Sequence, residues 1–154
     1  MEQGGKSMND KPDYNLDRFK TAQERDYQTA LKEIKNRGKV SHWMWYIFPQ
    51  MKQLGYSPTA QYYGIASLDE AKSYIADDTL RQHLIEISEA LLALESDNAS
   101  QIMGYPDDMK LRSCMTLFML AAPDIDTFGK VLDKFYGGEK DEHTVRILNN
   151  KNRE

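Results

Sequence analysis

The chain has 154 residues and a formal net charge of -4, with 40% hydrophobic and 29% charged residues, enough to bury one sizeable core as a single domain. The acidic balance argues against a nucleic-acid partner, whose footprint is a basic surface. No apolar run reaches the roughly 18 residues that cross a bilayer, the start lacks the basic-then-apolar order of a secretory signal, and one cysteine, Cys114, cannot close an intramolecular disulfide, so the expected compartment is the reducing cytoplasm with no membrane association.

Residues 1–14 are polar, with Gly4, Gly5 and Pro12, and read as a disordered leader in which Met8 offers an alternative start. Gly4-Gly-Lys-Ser7 resembles the end of a phosphate loop but lacks the first glycine and a preceding strand, so it carries no weight. A helical period begins at Asn15, with Leu16, Phe19, Tyr27, Ala30, Leu31 and Ile34 on one face. Asn15 is the expected N-cap and Gly38 the expected residue just past the C-cap.

The next stretch, Ser41-His-Trp-Met-Trp-Tyr-Ile-Phe-Pro-Gln50, holds both tryptophans and one of three histidines. Its apolar density predicts a short buried helix over about 42–47, stopped by Pro49, then a turn around Gly55. Ser57-Pro58 opens a short helix through Tyr62 and Tyr63. Ser67-Leu-Asp-Glu70 is a capping box for a helix carrying Ala71, Tyr74 and Ile75. Asp77 or Asp78 caps the next, whose stripe is Leu80, Leu84, Ile87, Leu91 and Leu94.

Asn98 starts a short turn that Gly104 ends. Asp107 and Asp108, after Pro106, open a helix through Leu111, Cys114, Met115, Phe118 and Ala122 that is apolar nearly all round, as a central helix is. A further helix uses Ile125, Phe128, Val131, Leu132 and Phe135 and ends at Gly137-Gly138. Asp141 caps the last, with Val145 and Leu148. No strand or fixed-period repeat emerges. The expectation is all-α: one multihelical domain over 15–149 with seven to eight helices, several of them short, and a tail at 150–154.

Two clusters could carry chemistry. In the first, Lys39, Ser41, His42 and Gln50 stand close in sequence to two indoles that can stack on flat groups or cations. His42 can act as acid or base near neutral pH, although a buried histidine bonded to backbone carbonyls is an equal alternative. In the second, Asp107 and Asp108 complement a helix start, and Asp108 and Arg112 can pair at i, i+4, which accounts for them structurally. The central helix nonetheless calls for a partner or ligand for Arg112, a residue suited to bidentate recognition of carboxylate or phosphate. His83 and His143 read as solvated. No metal site or cofactor is expected, since no histidine pair falls at i, i+4 and there is one cysteine. Cys114 and the eight methionines read as core.

The aromatic motif, together with Gly55-Tyr-Ser-Pro58, Ser67-Leu-Asp-Glu-Ala71, Pro106-Asp-Asp-Met-Lys-Leu-Arg-Ser113 and Phe135-Tyr-Gly-Gly138, resembles the bacterial family catalogued as domain of unknown function 1810, over roughly residues 15–148. The resemblance implies a single multihelical domain and no particular activity. Some members carry the label calpastatin; an inhibitor of that kind is long, repetitive and disordered, which the helical periods here contradict.

Two functions follow as expectations. One is a pocket for a small anionic, nucleotide-like ligand between the two clusters. In it Trp43, Trp45 or Tyr62 stack, Lys110 and Arg112 hold the anion, Ser41, Gln50, Asp107 and Ser113 line the site, and His42 with Asp108 serves any proton transfer. The other is a protein-interaction module that docks through the aromatic stretch without catalysis.

Overall fold

The computed structural model describes residues 13–153. Most of the proposed leader, Met8 and the Gly4–Ser7 run among it, lies outside the described residues. Nine α-helices occur among those described: α1 Asp17–Lys35, α2 Met44–Ile47, α3 Pro58–Tyr63, α4 Leu68–Ala76, α5 Asp78–Leu92, α6 Ala99–Met103, α7 Asp107–Ala121, α8 Thr127–Tyr136 and α9 Glu142–Arg153. A 3-10 turn spans Lys52–Leu54, and a lone parallel bridge pairs Met51 with Ile65. The fold is all-α.

Helix α7 is the hub and packs against α4, α6, α8 and α9, while α1 lies across α5 and α2. Its centrality follows from its apolar circumference: Leu111, Cys114, Met115, Leu117 and Phe118 are fully buried. Phe118 meets Tyr74 of α4 on one side and Phe128 of α8 on another. Even the hydroxyls on this helix are internally bonded. Thr116 Oγ1 donates to the Arg112 carbonyl and accepts the Asp141 N–H, tying α7 to the start of α9.

Local chemistry sets most helix starts. Ser57, Ser67, Asp77, Asn98 and Asp141 each accept a backbone N–H three residues ahead, the N-cap bond that satisfies an otherwise orphaned donor. Asp77 rather than Asp78 takes that role for α5. The two ends of α1 depart from expectation. Asn15 is not its N-cap: it has φ 55, a left-handed conformation that asparagine tolerates better than most residues, and Leu16 precedes the helix with no side-chain cap. At the other end Arg37 (φ 72), not Gly38, is the left-handed residue. Arg37 N–H donates to Ile34 and Gly38 N–H to Glu33, which is the Schellman pattern. Gly38 is then free to lead into Lys39, whose N–H donates to the Ile102 carbonyl of α6 at 2.8 Å. Helix α9 continues past Leu148 through Arg153. No helix among the described residues is long and apolar enough to cross a membrane.

An anionic frame, a closed staple and an open cup

The aromatic motif is shaped by an acid outside it. Glu33, on the last turn of α1, accepts the N–H groups of Val40 and Ser41, the Ser41 hydroxyl and the Trp43 indole N–H, all within 2.6–2.9 Å. Burial alone would raise its pKa, but these donors outweigh that and bring the carboxyl down to about 2. Ser41 is thereby committed to the frame, and Trp43 is buried at 1% exposure. Gln50 is buried as well, and its carbonyl accepts the Ile65 N–H. The sequence carried one sign of Glu33: an acid near the negative end of a helix is unfavourable unless something compensates it.

Beyond the frame, the two motifs meet. Lys39 Nζ lies 2.8 Å from Asp107 Oδ2, and Lys110 Nζ lies 3.2 Å from Asp107 Oδ1. Lys39 also donates to the Ser41 carbonyl at 2.7 Å. Lys110 sits 3.8 Å from the centre of the Trp45 ring, a cation–π contact that orients both groups. Lys39, His42, Met44, Trp45, Asp107 and Lys110 line a cup of about 100 Å³. At roughly 30 Å³ per water this has room for about three waters or one small anionic group, well under the ~300 Å³ at which ligand pockets begin.

The hydrogen-bonding capacity of the cup is only partly used. An ammonium has three hydrogens; two oxygen partners engage Lys39 and one engages Lys110 among the described residues, with the Trp43 ring centre 5.0 Å from Lys39 Nζ and the Trp45 ring centre 3.8 Å from Lys110 Nζ. The His42 ring is exposed and has no side-chain hydrogen bond there either. The amides at the start of α7 contribute little, since Asp108, Met109 and Lys110 donate to the Gly104 and Pro106 carbonyls. Two lysines face one aspartate among the lining residues, and the Glu33 carboxylate of the frame lies behind Ser41 on the Lys39 side.

Other candidates face elsewhere. Arg112 donates to the carbonyls of Glu139 and Lys140 and pairs with the Glu139 carboxylate at 3.3 Å, fastening α7 to the loop before α9; it pairs with neither Asp108 nor the aromatic motif. Asp108 Oδ1 accepts the Met109 N–H, and its carbonyl accepts the Tyr136 hydroxyl; among the described residues no hydrogen bond joins its carboxylate to His42, and Asp108 does not line the cup. Ser113 is buried and donates back to the Met109 carbonyl. Tyr62, on α3, is exposed and does not line the cup; its carbonyl takes the Arg18 Nε–H.

That Arg18 belongs to a cluster with no local sequence signature. Its guanidinium donates to the carbonyls of Tyr62, Tyr14, Asn15 and Gly64 and to Glu70 Oε2 at 2.6 Å. All five N–H groups of the fork are engaged. Glu70 Oε1 in turn accepts the Ala66 N–H, so the glutamate of the capping box reaches back one residue further than a standard box does. Gly64 is required by space here: a Cβ would come within 2.4 Å of the Lys52 Cα.

His83 is not simply solvated. It is half-buried and stacked on Tyr27 at 3.8 Å, with Nδ1 2.8 Å from Gln23 Oε1. Gln23 Nε2 gives its hydrogens to the Tyr46 carbonyl and the Tyr74 hydroxyl, so Oε1 must accept, and His83 Nδ1 carries the proton. Burial holds this imidazole below its ordinary pKa. His143 is exposed. Among the described residues, no group of three or more histidines, cysteines or acids is placed to hold a metal ion.

Together these features define an all-α domain organised on a central helix, with polar networks at its helix junctions. The chain belongs to the family described as protein of unknown function (DUF1810), whose pattern it matches over residues 13–148. It is similar to a solved structure, the conserved hypothetical protein Rv1873 from Mycobacterium tuberculosis, with 40% sequence identity and a TM-score of 0.86, covering 88% of this chain and 97% of that one. No curated protein matches it.

Proposed function

We propose that the chain binds a small anionic group in the cup over Asp107, with Lys110 and Lys39 as the cationic contacts and His42 at the rim. The observation that carries the reading is the pair of ammonium groups converging on one carboxylate with hydrogens left over, at the mouth of a cavity of that size. A nucleotide would seat only its phosphate there, because Lys110 already occupies a face of Trp45. Ser41, Trp43 and Gln50 shape the cup from beneath without reaching a ligand, and no reaction is assigned to His42. Docking through the indoles is the weaker reading, with Trp43 buried and Trp45 half-buried under Lys110.

The test is an amide-shift and Trp-emission titration with acetate, phosphate, pyrophosphate and ATP. Shifts confined to residues 39–45 and 107–110, lost in Lys110→Ala, are the expected result. A folded protein that responds to none of these anions would sink the reading.

A further inference from the structure

Asp107 already does to the two lysines what an anionic ligand would do. Its carboxylate bridges them, one oxygen to each: Oδ2 lies 2.8 Å from Lys39 Nζ and Oδ1 lies 3.2 Å from Lys110 Nζ. A carboxylate or phosphate entering the cup would seek the same two ammonium groups with a pair of its own oxygens. Little else holds Asp107 in place. It is the first residue of α7, and among the described residues its carboxylate meets only these two lysines. The side chain is 18% exposed, so a rotation about its own bonds carries the carboxylate into water.

The other charged groups are tied more firmly. Lys39 is 7% exposed and donates to the Ser41 carbonyl, and Lys110 rests on the Trp45 ring. Glu33 is fixed by four donors from Val40, Ser41 and Trp43, so its field acts equally with an anion present or absent. We infer that Asp107 is a tethered competitor within the anion site: its side chain must release Lys39 and Lys110 before an incoming anion can take both. This rests on the anion-binding reading above and adds how the affinity of that site is set. The spare ammonium hydrogens give the anion its first hold. A carboxylate built into the same helix contests the rest at high effective concentration, and affinity falls with the fraction of molecules in which Asp107 has let go.

The test titrates the full-length protein with inorganic phosphate and with acetate, followed by amide shifts, beside Asp107→Asn, Asp108→Asn and Asp107→Asn combined with Lys110→Ala. Asparagine keeps the shape of Asp107 and removes its charge, and the amide spectrum reports whether the fold is kept. Phosphate should bind at least about tenfold more tightly to Asp107→Asn, with shifts still confined to residues 39–45 and 107–110. The double variant should lose that gain. Asp108→Asn removes the same charge from a neighbour that does not line the cup, and should change the affinity by less than about threefold. In the native chain the Asp107 side-chain carboxyl 13C resonance should move with phosphate while that of Asp108 stays. Cup amides that shift while the Asp107 carboxyl stays still would overturn the inference without any variant. Equal or weaker binding in Asp107→Asn would make Asp107 a support for the lysines, overturning the inference and leaving the anion site standing. Equal gains in Asp107→Asn and Asp108→Asn would reduce the effect to net charge and overturn it as well. Silence from the native chain and every variant would remove both readings.

Discussion

The Arg18–Glu70 staple and the Lys39–Asp107–Lys110 cup have the same ingredients, cations facing a carboxylate at a helix junction, and opposite degrees of completion. In the staple both side chains are more than nine-tenths buried, every guanidinium hydrogen has an acceptor, and both carboxylate oxygens are used. Nothing is left to offer a ligand, so its role is to hold the start of α1, the end of α3 and the start of α4 together. In the cup the acid is outnumbered, and the ammonium groups keep open hydrogens over a small cavity. A polar cluster becomes a candidate site through the capacity it leaves unused, more than through its charge or burial.

That contrast can be broken in several places. The largest effect is expected from Glu70→Ala, which strands a buried guanidinium; loss of one partner of a buried pair costs about 3–5 kcal/mol, read as a shift in urea midpoint. If Glu70→Ala shifts stability by less than about 1 kcal/mol, the staple is not what joins those helices. Glu33→Ala comes next, at about 2–3 kcal/mol for loss of charge-assisted bonds, with a change in Trp43 emission. The same carboxyl sets a pH dependence. Its folded value near 2 lies below the ordinary 4.5, so its contribution is present above 4.5 and declines as the pH falls towards 2. Acid unfolding should therefore lose this component in Glu33→Ala.

Between the two extremes stands His83. Its folded pKa lies below the ordinary 6.5 because burial opposes the charged form. The stability it contributes is thus complete above 6.5 and falls away as acidification charges the ring. An NMR titration of the imidazole should place its midpoint below 6.5, and melting temperatures between about pH 7 and 5 should fall less steeply in His83→Ala. The smallest stability effect belongs to Lys110→Ala, within about 1 kcal/mol for a partly exposed pair, although it should abolish the anion response. That dissociation of stability from binding would sharpen the comparison most.

What was legible in the sequence follows the range of the interaction. The caps at Ser57, Ser67, Asp77, Asn98 and Asp141 depend on a side chain and an amide three residues apart, so the residue pattern states them directly. The central position of α7 was legible because an all-round apolar helix has nowhere else to go. Arg37 in place of Gly38 was not, because propensity favours glycine there and the path of Lys39 to Ile102 overrides it. The site was half legible. The residue types that meet, Trp45, Asp107 and Lys110, stand in the two motifs, but Asp107 faces Lys39 while Arg112 turns to Glu139, a choice made by helix packing across distant segments. The Arg18–Glu70 pair left no trace in either local pattern.

Cys114 lies at the middle of α7, fully buried, its thiol pushed well above the ordinary range by the apolar surroundings. Since the protein has no other thiol, an alkylating reagent can reach sulfur only when the hub helix parts from its neighbours. The chain therefore carries its own clock for core opening. Labelling rates at Cys114, with and without an anion at the far end of the same helix, would tell how rigidly the mouth of α7 is coupled to its centre.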